Sequence, residues 1–125
     1  MRSYPPTAIE DSEVQHLLSR QLRDWKCVVS PLPEDPSRQR VELFREFKFD
    51  SFREVIRFMR EVSVGCDIAD HHPRWENIYR TLRIYLSTWG IGHRITDRDV
   101  QLARYFDEVY SQTTSTPRPN TRRAP

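Results

Sequence analysis

The chain has 125 residues, which suits one domain with a modest core and leaves little room for a second. Hydrophobic residues make up 37% and charged residues 30%, the balance of a soluble globular chain rather than a fibrous or membrane-embedded one. The formal net charge is only +2, and Arg118, Arg122 and Arg123 supply much of the excess from the final stretch, so no folded segment reads as a basic face for direct nucleic-acid binding.

Two cysteines, Cys27 and Cys66, stand far apart with no second pair to make a zinc-type set, and they read as two reduced thiols. No apolar run is long enough to cross a membrane. Met1 to Pro6 has no apolar signal core, which points to a cytoplasmic protein, with a nuclear or organellar pool as the alternative.

In chain order, residues 1–9 carry Pro5 and Pro6 and read as a flexible start. A first helix is expected over about 12–23, with Ser12 and Gln15 as a capping box and Val14, Leu17, Leu18 and Leu22 as its apolar stripe. A short strand follows around Trp25–Val29, then a turn-rich loop through Pro31, Pro33 and Pro36. A second strand is expected at about 40–49, where Val41, Leu43, Phe47 and Phe49 alternate and Arg45 interrupts the apolar face. Ser51 and Glu54 cap a second helix that runs to Ile68 or Ala69. Its core face is Phe52, Val55, Ile56, Met59 and Val62, and Gly65 is its weak point.

Residues 75–88 have strand composition, in two strands or one bent one. Trp89 to Ile95 is a glycine-bearing loop. Thr96 caps a third helix whose buried stripe is Val100, Ala103, Phe106 and Val109, with Asp99 at the capping-box position. The tail 111–125 is polar and proline-bearing and is expected to be disordered, which leaves 10–110 as the folded unit. The order is that of an α+β domain, with about three helices packed on one face of a mostly antiparallel sheet. The open sheet face and edges then ask for cover, for which association is one solution.

The densest chemistry lies in Asp67-Ile-Ala-Asp70-His71-His72-Pro73-Arg74-Trp75. Histidines exchange protons near neutral pH, Asp67 and Asp70 are placed to orient an imidazole, and Trp75 offers a flat face to a heteroaromatic ligand. Asp67, Asp70 and His71 also share a helical face and could gather a metal. Too few further ligands are in view, so no metal site is assigned.

With these residues in place the chain resembles the pterin-4a-carbinolamine dehydratase family, also known as dimerisation cofactors of a homeodomain transcription factor. Asp67 precedes His71-His72-Pro73 at the family distance. Tyr79 follows as the aromatic, Trp89 falls on a position held by histidine or tryptophan, and Asp99 is the downstream aspartate. The stretch Phe47–Phe52 and Leu86-Ser87-Thr88 before Trp89 fit the same pattern, so the resemblance covers roughly 12–110. It implies a four-stranded antiparallel sheet with helices on one side and a homodimer or homotetramer. It further implies a pterin site with Asp70, His71 and His72 on one wall and Ser87, Thr88, Trp89 and Gly90 on the other, with Asp67, Pro73, Trp75 and Asp99 in support.

The implied reaction is dehydration of a 4a-hydroxytetrahydropterin. One proton goes to the departing oxygen and one leaves N5. No electrons move, so the resemblance implies no cofactor. On this reading His71 is the main acid/base group, and His72 holds the pterin and assists the second transfer. Indole only donates, so Trp89 is a departure from members with a third histidine there, and His93 stands four residues later. A different expectation is a binding module whose helix, about 51–66, pairs with a helical protein partner.

Overall fold

A computed structural model describes residues 6–115. Three helices and four strands follow in the order α1 (Asp11–Arg20), β1 (Lys26–Leu32), β2 (Asp35–Lys48), α2 (Phe52–Ala69), β3 (Arg74–Ile78), β4 (Thr81–Leu86), a 3-10 turn (Trp89–Ile91) and α3 (Asp97–Ser115). The sheet is antiparallel throughout in the order β1-β2-β4-β3, so β1 and β3 are its edges. This is the expected α+β architecture.

Register decides which face is the core. Leu43 lies opposite Leu86, Arg45 opposite Ile84 and Phe47 opposite Leu82, so these side chains share one face, to which Trp75 is added opposite Ile84. Against them pack Val55, Phe58 and Val62 of α2 and Val100, Ala103 and Phe106 of α3. Phe47, Phe49, Phe58 and Tyr110 stack edge-on or tilted in the middle. Arg45 does not break this face. Its guanidinium carbon lies 4.3 Å from the Phe47 ring centroid, and the same guanidinium donates to Asp107 of α3 at 2.6 Å.

The opposite face covers itself. Arg74 grips the buried Glu42 with two hydrogen bonds of 3.2 and 2.8 Å and lies 3.9 Å from the Tyr85 ring, which stacks on Phe44. Arg83 ties Glu46 to Glu76 across three strands.

Several boundaries differ from expectation. The first helix opens at Asp11 behind Glu10, with no side-chain cap, so Ser12 lies inside the first turn and forms no capping box. Pro31 and Pro36 belong to strands, joined by a tight turn at Pro33 and Glu34. Pro31 is tolerated because β1 is an edge. The segment 75–88 is a hairpin, turning at Tyr79, whose φ is 53°. Within 1–9, Ile9 is anchored: its N–H donates to Ile95 O at 2.9 Å, and residues 1–5 lie outside the described residues. The expected disordered tail begins too early, since α3 continues to Ser115; 116–125 lie outside the described residues.

Ser51 caps α2 as expected, accepting from Glu54 N at 3.2 Å. Gly65 is no weakness, because it is where α3 comes closest. A Cβ there would stand 2.4 Å from the Tyr105 ring.

Candidate active site

The site forms where the end of α2 meets the start of α3. Asp70 leaves α2 in the left-handed conformation (φ 54°, ψ 44°), which Asp tolerates better than most side chains. Its N–H donates to Asp67 O and that of His71 to Cys66 O, both at 3.1 Å, in the Schellman pattern. That turn sends His71 inward, buried, while His72 stays largely exposed. Burial pushes the Cys66 thiol up to about 11, so beside this turn it is a protonated core side chain rather than a nucleophile.

The start of α3 supplies the partner. Thr96 caps α3 and Asp99 reaches back to it: Thr96 Oγ1 accepts from Arg98 N at 3.2 Å, and Asp99 Oδ2 accepts from Thr96 N at 2.9 Å. The same carboxylate, fully buried, accepts from Thr88 Oγ1 at 2.8 Å, and its Oδ1 lies 2.6 Å from His71 Nε2. Thr96 Oγ1 lies 2.7 Å from Thr88 Oγ1. Since Thr88 gives its proton to Asp99, Thr96 gives its own to Thr88. With the Asp99 carboxylate as acceptor, a neutral His71 ring carries its proton on Nε2 and leaves the Nδ1 lone pair free. His72 Nε2 pairs with Asp67 at 3.0 Å in solvent, where screening makes the contact weak.

A cleft of about 180 Å³ is lined by Asp70, His71, His72, Ser87 and Trp89. Ser87 Oγ is buried there without a hydrogen-bond partner, a free polar group on a cleft wall. Trp89 is 58% exposed and lies against His93, ring centroids 5.8 Å apart at 32°.

The other expected site residues stand elsewhere. Thr88 and Asp99 are buried behind His71 as its support. Trp75 and Pro73 belong to β3 and the link before it, Trp75 packing on the core. Gly90 faces open space, and Asp67 reaches His72 rather than the cleft. The imidazole of His71 thus meets Asp99, and that of His72 meets Asp67. No cluster of three or more metal-ligating side chains occurs among the described residues.

Fold and site define a small α+β domain with a carboxylate-backed imidazole at the mouth of a cleft, an arrangement suited to moving protons. The family model for pterin 4 alpha carbinolamine dehydratase matches residues 7–109. A relative from Opitutus terrae, named as a candidate pterin-4-alpha-carbinolamine dehydratase, is 30% identical over 104 residues, covering 83% of this chain and 95% of its own. One from Bordetella avium, named likewise, is 33% identical over 101 residues, covering 78% and 91%. A solved structure described as a transcriptional coactivator/pterin dehydratase from Brucella melitensis superposes with a TM-score of 0.68 at 26% identity, over 83% of this chain and 99% of that one. The chain belongs to the pterin-4a-carbinolamine dehydratase family, a family of hydro-lyases.

Proposed function

We infer that this protein dehydrates a 4a-hydroxytetrahydropterin to the quinonoid dihydropterin by histidine acid/base catalysis. The observation that carries the reading is the 2.6 Å contact between His71 Nε2 and the buried Asp99, at the edge of the Ser87–Trp89 cleft. With Nε2 held by Asp99, Nδ1 of His71 takes the N5 proton, and the carboxylate steadies the imidazolium that results. His72, exposed on the same rim, passes a proton to the departing hydroxyl. Ser87 Oγ hydrogen-bonds a polar edge of the pterin, and Trp89 stacks on its ring and moves no proton. The reaction returns the pterin of aromatic amino-acid hydroxylases to its recycling route, in a cytoplasmic protein.

His71→Ala tests the reading on a synthetic carbinolamine. Turnover is expected to fall about 10²–10⁴-fold, the usual share of one acid/base group. Unchanged turnover would sink the assignment.

A second reading rests on α2. Phe52, Ile56, Val64 and Ile68 recur every four or eight residues and are 42–82% exposed. This face pairs with a second copy in a homodimer or homotetramer, or with a helical protein partner.

A further inference from the structure

A groove separate from the Ser87–Trp89 cleft lies on the helix side of the sheet between α1 and the loop 89–94. It measures about 920 Å³, within the range of small-molecule sites. Its floor is apolar, from Val29, Pro31 and Val41, and Val29 is 53% exposed with no helix over it. Two guanidinium groups, Arg38 and Arg94, line the side nearest the loop. Arg38 reaches over the loop at Gly92, where an added Cβ would stand 3.3 Å from its Nη2. Arg94 holds its Nε buried with no hydrogen-bond partner. Among the described residues neither group makes a salt bridge, although Asp35 lies near enough to feel the Arg38 charge, whereas the other arginines of the strands are paired: Arg40 and Arg74 to Glu42, Arg45 to Asp107, Arg83 to Glu46. An orphaned buried guanidinium N–H is costly unless something accepts from it.

We propose that this groove is a second ligand site, for a small organic anion whose carboxylate or phosphate is held by Arg38 and Arg94 while a compact apolar body lies on Val29, Pro31 and Val41. Guanidinium forks suit both anions. Asp11 on the α1 wall turns the anion toward the loop side. The same loop presents Trp89 to the catalytic cleft and Arg94 to the groove, tied by the Thr88–Arg94 bridge, so the two sites share one wall. The site does not depend on the proposed reaction.

Cys27 lines this groove and reports on it directly, because an occupant shields the thiol from alkylation. The probes are benzoate and phenyl phosphate, with benzyl alcohol and inorganic phosphate as the body and the anion alone. With a dissociation constant of about 1 mM, ordinary for so few atoms, ~10 mM benzoate or phenyl phosphate slows Cys27 alkylation about ten-fold. Arg38→Gln, at an exposed position, and Arg94→Gln each abolish that protection. The proposal is overturned if neither anion protects, if benzyl alcohol protects as well as benzoate, or if protection survives both substitutions. It is equally overturned if Cys27 is unreactive without any ligand, since the groove is then closed by a second copy. Protection by one anion and not the other assigns the site to carboxylates or to phosphates.

Discussion

Asp99 meets His71 through one oxygen and the cap of α3 through the other. Asp99→Asn keeps an acceptor for Thr96 N but turns an N–H₂ toward Nε2. His71 is then driven to the tautomer that carries its proton on Nδ1, the wrong nitrogen for a base. Turnover is expected to fall on the order of 10²-fold with little change in KM, measured on the carbinolamine. A rise in KM alone would mean that Asp99 acts on binding and not on the imidazole. The capping role of Asp99 was legible from its spacing to Thr96. Its second role was not, because it joins residues 28 apart in the chain, and no local periodicity encodes which of three aspartates reaches the imidazole. Asp67 stands in the last turn of α2, but the chain leaves the helix at Asp70, so that His71 reaches Asp99 while His72 meets Asp67.

At the level of elements, Asp107 binds three of them together. Its Oδ1 accepts from Trp25 Nε1 at 2.8 Å, just before β1, and from Arg45 of β2 at 2.6 Å. Burial outweighs both partners and raises the Asp107 carboxyl above its ordinary range. A carboxyl raised on folding adds stability that is complete below its unfolded value, near pH 4, and is lost as pH rises through the folded value. Denaturant midpoints of wild type and Asp107→Asn, followed from pH 3.5 to 7, are therefore expected to show wild type losing ground to the variant as pH rises. A gap moving the other way means that attraction to Arg45 outweighs burial. Arg45 shows why strand interiors were harder to read than helices. A charge in an apolar alternation signals a break unless the partner on a distant helix is known. The buried face of α3 was legible because its apolar period is local. On α2 Val55, Met59 and Val62 turn inward as expected, but Phe52 and Ile56 are 50% and 42% exposed and Phe58 takes their place in the core. The end of β1 was hidden by a proline that an edge strand accepts.

For the molecule as a whole, helices cover one sheet face except beside the Val29 groove, and arginine–glutamate pairs cover the other, while the outer side of α2 exposes Phe52, Ile56, Val64 and Ile68. On the proposed pairing through α2, Ile56→Asp combined with Val64→Asp gives a monomer by light scattering where wild type gives a dimer or tetramer, with far-ultraviolet circular dichroism kept. An unchanged mass sends the assembly to another surface. The overall α+β order was readable because each segment announces its own period; the pairing of α2's end with α3's beginning required the chain to be folded. That pairing makes the His71 imidazole, the proposed acid/base group, depend on one helical turn. Helix ends open before the interior of a sheet does. On warming, fraying at Thr96–Asp99 releases the ring while the strands still hold, so loss of turnover is expected at a lower temperature than the melting of the fold.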